Sequence, residues 1–187
     1  MKLKIVSGTF KGKNINVPQN NSVRPVLTRL RKALVDTIKS ELCGASFLDL
    51  FGGSGSVSFE VLSNGARCAT VIEINRGTTQ TIRDNARILG LSSEIEIIHG
   101  DVFKVMKEFH NLKRTFDIIY IAPPQFEGLI DQVFVQLHDN RIFHFNTLII
   151  TQHHTKEIPD TVSEIFYLER SRRYGNTTFD FYRVKEG

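Results

Sequence analysis

The sequence predicts an α/β domain built on a mostly parallel sheet with helices on both faces, a small β-hairpin ahead of it and an antiparallel hairpin closing one edge. Three observations carry this prediction. Short apolar runs of strand length at Ser46 to Leu50, Cys68 to Ile72, Ile95 to His99, Phe116 to Ile121 and Thr147 to Gln152 are separated by helical segments; such alternation calls for parallel strands joined by right-handed crossovers. The first of these runs leads into a turn with three glycines in four positions, Gly52-Gly53-Ser54-Gly55. Beyond Ile165 the rhythm changes. Ile165 to Arg172 and Thr177 to Val184 flank Tyr174-Gly175-Asn176, and the second run alternates Phe179 and Phe181 with Asp180 and Tyr182, which reads as a hairpin at the sheet edge.

Taken in order, Lys2 to Val6 and Lys13 to Val17 are short β-like runs around Ser7 to Gly12, which predicts the N-terminal hairpin. Pro18 to Ser22 reads as loop, and Arg24-Pro25 fixes an extended entry. Thr28 is placed to cap a helix in which Leu30, Leu34 and Ile38 recur every four residues as the buried stripe, ending near Cys43-Gly44. The best helical segment between the strands is Arg76 to Leu89, with Ile82, Ala86 and Leu89 on one face and Gly90 as its stop. No internal repeat or low-complexity tract interrupts the series.

With 187 residues, the chain has the length of one domain: 1–187, comprising a basic hairpin and arm at 1–27 and the sheet with its flanking helices at 28–187. A composition of 41% hydrophobic and 24% charged residues with five prolines excludes disordered, collagen-like and disulfide-scaffold classes. The longest apolar runs, Ile118 to Ala122 and Thr147 to Ile150, are strand-sized, and Met1 to Ile5 lacks the apolar stretch of a signal peptide. A cytoplasmic protein is the expectation. Cys43 and Cys68 have neither metal-ligand spacing nor a CxxC arrangement, so no metal is expected and both read as small buried residues.

Charge is placed unevenly. Lys2, Lys4, Lys11, Lys13, Arg24, Arg29, Arg31 and Lys32 all precede the first carboxylate, Asp36, so the N-terminal arm carries +8 and the rest of the chain −4, which together give the net charge of +4. Such an arm suits phosphate neutralisation, in which counterion release drives binding; a solvated basic face is the bland alternative. Arg170, Arg172, Arg173 and Tyr174 add a second cluster.

Ligands of open α/β sheets bind beyond the carboxyl ends of the strands. The first such end is Leu48-Asp49-Leu50-Phe51-Gly52-Gly53-Ser54-Gly55, where glycines admit close backbone approach and Asp49 suits a cationic group such as an amine. No Lys-Ser or Lys-Thr follows the glycines, which excludes a P-loop, and Ser58 stands where a dinucleotide fingerprint has its third glycine or alanine. Glu73, at the end of the next strand, is placed to accept from two ribose hydroxyls in either nucleotide reading. Asp101, after His99-Gly100, is placed either to accept from an adenine amino group or to cap the next helix; His99 reads as structural. Further on, Ala122-Pro123-Pro124-Gln125-Phe126 ends the fourth strand in a stiff turn whose carbonyls are available to hold an amino group, with Phe126 placed to stack on a planar base.

Arg24-Pro25, Arg29-Leu30-Arg31, the Asp49 glycine loop, Glu73, Asp101 and the Pro-Pro turn together resemble the RsmD-type methyltransferases, along almost the whole chain. The resemblance implies a Rossmann-like class I methyltransferase fold with a seven-stranded sheet, S-adenosylmethionine as cofactor, and the 2-amino group of a guanine in bacterial 16S ribosomal RNA as acceptor. It implies cofactor contacts from Asp49, Phe51, Gly52, Gly53, Gly55, Glu73, Asp101 and Val102, with the glycine loop and Asp49 at the methionine part, Glu73 at the ribose and Asp101 at the adenine. It also implies catalysis at Ala122, Pro123, Pro124, Gln125 and Phe126, and RNA contacts from Lys11, Lys13, Arg24, Arg29, Arg31 and Lys32. The expected partner is ribosomal RNA or a small-subunit assembly particle, met by a monomer without membrane or metal.

Two departures stand out. The family turn reads Asp or Asn, Pro, Pro, then Phe or Tyr; Ala122 and Gln125 hold its first and fourth places here, and Phe126 lies one position later. Thr28 and Lys32 stand where the family commonly has acidic residues, which makes the arm more basic. Two other functions stay open at this point: a binding protein of the same fold that lost turnover with the acidic residue at 122, and a nicotinamide-dependent oxidoreductase, for which the Pro-Pro turn has no evident role.

Overall fold

The computed structural model describes residues 2–18, 26–159 and 164–185. They group into two compact units, Met1–Gly100 and Asp101–Gly187.

In the first unit, β1 (Lys2–Lys4) pairs antiparallel with β2 (Asn14–Asn16), with Leu3 opposite Ile15. Both strands are shorter than their apolar runs suggest. α1 (Thr28–Leu42) buries Leu30, Leu34 and Ile38 as expected, and Arg31, Val35 and Leu42 with them. Thr28 is not its cap: the extended Leu27 occupies that position without a side-chain bond, so Thr28 is the first helical residue. Pro18 adjoins the described hairpin, whereas the rest of the expected loop to Ser22 and the Arg24-Pro25 entry lie outside the described residues.

β3 (Ser46–Asp49), β4 (Cys68–Glu73) and β5 (Ile95–His99) run parallel, Asp49 facing Val71 and Glu73 facing His99 in register. α2 (Ser56–Ser63) follows the glycine turn and is buried at every residue. α3 (Arg76–Leu89) starts at an Asn75 cap whose side chain accepts from the Thr78 N–H, and ends at Gly90 with φ +73°, the left-handed stop that glycine provides. Both cysteines correct the sequence reading. Cys43 is exposed and Cys68 half-buried, because they sit at the surface ends of α1 and β4, ahead of the apolar positions that are drawn inside.

The second unit holds α4 (Val102–Asn111), β6 (Phe116–Ile121), α5 (Leu129–Asp139), β7 (Phe143–His154), β8 (Phe166–Tyr174) and β9 (Thr177–Val184). β6 and β7 are parallel, while β7 pairs antiparallel with β9 and β9 with β8, forming the C-terminal hairpin. β7 begins earlier than its apolar run because Phe143 pairs with Phe116 of β6, ahead of a register shift between Phe116 and Ile118. Between β7 and β9, His153 and Asp180 form a buried pair, Nε2 to Oδ2 at 2.9 Å. The strand order of the seven-stranded sheet is β5-β4-β3-β6-β7-β9-β8. Among the described residues no helix is long and apolar enough to cross a membrane.

Candidate functional site

At the end of β3, Asp49 is only 1% exposed. Its Oδ2 accepts from the Ser58 hydroxyl at 2.9 Å and its Oδ1 from the Phe51 N–H at 3.3 Å. Burial pushes the carboxyl up to about 7, against the pull of those two bonds, and the nearby Glu73 charge adds to the rise. A buried acid of this kind gains most from a cation that restores its charge. Ser58, which stands at the mismatched fingerprint position, is therefore the partner that sequence reasoning missed; the signal was an acid that needs a donor once it is buried.

The glycines bring the loop onto β4. A Cβ on Gly52 would lie 2.3 Å from Val71 Cγ1, and the Gly52 N–H donates to the Ile72 carbonyl at 2.8 Å. Gly55, at φ +70°, caps α2 in a conformation that L side chains rarely adopt, and a Cβ there would press on Ile82 and Phe59 at 3.0 and 3.2 Å. Glu73 is half-buried; its Oε2 accepts from the Gly53 N–H at 2.8 Å and its Oε1 from the Asn75 N–H at 2.7 Å. One amide on each oxygen leaves lone-pair capacity for further donors. Asp49, Phe51, Gly53 and Glu73 are thus linked through the loop at the ends of two adjacent parallel strands.

The basic arm divides. Lys11, Lys13 and Arg29 are exposed. Arg24 lies outside the described residues. Lys32 is exposed and pairs with Asp36 at 2.7 Å. Arg31 corrects the sequence reading: it is 1% exposed, its Nε lies 3.2 Å from Glu60 Oε1, and its other nitrogens donate to the carbonyls of Val26 and Lys4 at 2.9 and 2.7 Å. With its donors committed inside the fold, this guanidinium ties α1 to β1 and α2 and is not available to phosphate. Glu60, in turn, accepts from the Val6 N–H at 2.9 Å.

In the second unit Asp101 caps α4, its Oδ1 accepting from the N–H groups of Phe103 and Lys104 at 3.1 Å each; Val102 behind it is buried. After β6, Ala122 is half-buried, Pro123 buried, and Pro124 and Gln125 exposed. Phe126 is 62% exposed and takes φ +63°, the left-handed region that costs a non-glycine residue of order 1–2 kcal/mol. Its N–H donates to Glu157 Oε1 at 3.1 Å and its ring packs on His154 with centroids 5.2 Å apart. Glu157 Oε2 is buried and has no hydrogen-bond partner among the described residues. No three His, Cys, Asp or Glu side chains among the described residues form a group able to hold a metal ion.

A mostly parallel seven-stranded sheet with antiparallel last strands, a glycine turn after β3 and acidic residues at the ends of β3 and β4 defines the class I methyltransferase fold. The chain belongs to the conserved hypothetical protein 95 family, the RsmD-type methyltransferases, whose sequence model matches residues 3–183. Ribosomal RNA small subunit methyltransferase D of Escherichia coli K12 is 26% identical over 182 residues, covering 97% of this chain and 89% of its own. The solved structure of a hypothetical protein from Thermus thermophilus superposes with a TM-score of 0.80 at 26% identity, over 96% of this chain and 98% of the other. An RNA methyltransferase from Salinibacter ruber, solved with S-adenosyl-L-homocysteine, shares the fold at 14% identity, with a TM-score of 0.66 over 88% of this chain and 95% of its own.

Proposed function

We propose that this chain is an S-adenosylmethionine-dependent methyltransferase that modifies the 2-amino group of a guanine in small-subunit ribosomal RNA. The buried Asp49 beneath a glycine loop held by Glu73 is the observation that carries the reading. These residues fit the cofactor: an ammonium beside Asp49 would take the place of the proton that burial keeps there, and Glu73 has capacity left for ribose hydroxyls. The cofactor when bound supplies an electrophilic methyl group on a sulfonium.

The chain's own part is positioning. A guanine amino group is a poor nucleophile because its lone pair is delocalised into the ring. Carbonyl oxygens of Ala122 and Pro123 accepting its N–H bonds would favour the pyramidal form that frees the lone pair, and Phe126 would stack on the base. Asp101 acts through its cap at the start of α4, near the adenine in this reading. Lys11, Lys13 and Arg29 would meet phosphates, with the RNA or an assembly particle as partner.

Transfer of labelled methyl to undermethylated small-subunit ribosomal RNA tests the reading. Ala122 and Gln125 favour one rival, an RNA-binding protein that lost turnover. If the parent bound cofactor and RNA yet transferred no methyl, and activity appeared only in Ala122→Asp or Ala122→Asp/Gln125→Phe, the rival would replace the enzyme.

A further inference from the structure

We infer that His153 is a positioning residue for methyl transfer: as a cation bridging Asp180 and the His154 carbonyl, it holds the turn at 154–157 on which Phe126 is seated, so transfer slackens when that cation is lost. The role rests on the reading of the Pro-Pro turn as the place where the base is held, and adds to it a group that acts on the turn from β7 and β9.

β6 and β7 run side by side at their ends, Ile121 opposite Thr151, so the chain leaving β7 emerges beside the Pro-Pro turn. It then doubles back. The Glu157 N–H donates to the His154 carbonyl at 2.9 Å and the Lys156 N–H to His154 Nδ1 at 3.1 Å. This tight turn carries the Glu157 carboxylate to the Phe126 N–H and the His154 ring to the Phe126 ring. Phe126 needs such support, because its exposed ring stands on a left-handed backbone that persists only where its surroundings hold it.

The His154 carbonyl ties the turn together, and His153 is its second donor. His153 Nδ1 lies 3.0 Å from that carbonyl and Nε2 lies 2.9 Å from Asp180 Oδ2. A carbonyl and a carboxylate accept and do not donate, so both contacts are hydrogen bonds only when both ring nitrogens carry protons. Neutral His153 gives up one of them and leaves a nitrogen lone pair against an oxygen. The surroundings favour the cation. Burial opposes the charge, but Asp180 of β9 and the His154 carbonyl outweigh it and Glu157 of the turn adds its attraction, so the ring holds its proton above the ordinary 6.5. Burial would raise Asp180 too, yet bonds from His153 and from Ser171 of β8 lower it and keep it an acceptor. Glu157 gains in return: its Oε2 is buried with no hydrogen-bond partner among the described residues, and a buried carboxylate in that state depends on a nearby cation. Loss of the His153 proton therefore loosens the turn twice, at the His154 carbonyl and at the carboxylate that holds Phe126.

Nitrogen NMR spectra of the full chain from pH 5 to 9 read this coupling without substrate, and single-turnover methyl transfer at saturating S-adenosylmethionine and RNA reads its consequence. Both ring nitrogens of His153 should carry protons at pH 6, and the Phe126 amide should shift with the same midpoint, above 6.5, as the ring loses its charge. Transfer should fall roughly 2- to 10-fold through that midpoint. His153→Gln, with no charge to lose, should begin at the lower rate and show no such limb, whereas Asp180→Asn, which weakens the hold on the proton, should move the limb to lower pH. A limb unmoved in either variant, or a Phe126 amide indifferent to the ionisation of His153, would overturn the role while leaving the methyltransferase reading intact. A parent that transferred no methyl at any pH would overturn both.

Discussion

Asp49 keeps its proton in about half of the molecules near pH 7, because burial raises its carboxyl to about 7. An ammonium bound beside it favours the ionised form, so binding should expel that proton. The affinity for S-adenosylhomocysteine should therefore rise between pH 6 and 8, with calorimetric heats that depend on the ionisation heat of the buffer. Asp49→Asn should bind weakly, by about 1–3 kcal/mol, and without proton release. A pH-independent affinity in the parent would remove Asp49 from the amine. At the turn, Glu157→Ala removes the acceptor of the Phe126 N–H; single-turnover methyl transfer should fall roughly 2- to 10-fold with cofactor affinity unchanged, and Glu157→Gln, which still accepts, should restore it. Equal rates in all three proteins would mean that the Pro-Pro turn holds Phe126 unaided. The sequence placed Asp49 and Glu73 at strand ends from apolar runs alone. It did not reveal that Ser58 and Gly53 answer them, nor that Glu157 reaches Phe126 from 31 residues away, because such pairings depend on where the backbone returns.

Elements were more legible than their partners. α3 spans Arg76 to Leu89 as its periodicity predicts and ends where Gly90 signals, a local bond; the Asn75 cap at its start was not read from the sequence. The parallel strands followed from apolar runs bounded by turns, whereas β7 outran its apolar run because pairing of Phe143 with Phe116 of β6 carries its first residues. Arg31 shows the limit from the other side. Its place, four residues before Val35 and seven before Ile38, put it on the buried stripe of α1, but its charge suggested the surface, and Glu60 lies 29 residues away on another helix. Arg31→Met should cost about 3–5 kcal/mol of stability by stranding a buried carboxylate, and Arg31→Met/Glu60→Met should recover most of that loss. Urea unfolding of the single and double variants measures the difference. A single variant as stable as the parent would show that the pair contributes little.

Ionisation couples the candidate site to the stability of the whole chain. Asp49 and Glu60 both hold their protons more tightly in the fold than the ordinary 3.8 and 4.5, chiefly because they are buried. Their contribution is complete below those unfolded values and is lost as pH rises, for Asp49 through about 7. His153 is raised above the ordinary 6.5: burial opposes its charge, but bonds to Asp180 and to the His154 carbonyl outweigh it, so its contribution is complete below 6.5 and is lost as pH climbs past its folded value. Asp180 goes the other way. Burial would raise it, yet the bonds from His153 and Ser171 lower it, so its contribution is present above 3.8 and is lost as pH falls through its folded value. Together these signs place maximal thermal stability on the acidic side, near about pH 4 to 5, with a decline toward pH 8. Three interventions should divide that decline. Asp49→Asn cannot ionise and should remove the part below pH 7; saturating S-adenosylhomocysteine should remove the same part by supplying a countercharge; His153→Gln should remove the part above 6.5. Melting temperatures taken from pH 4 to 8 check all three, and a parent whose melting temperature climbs steadily from pH 5 to 8 would show that neither Asp49 nor the His153–Asp180 pair governs the balance.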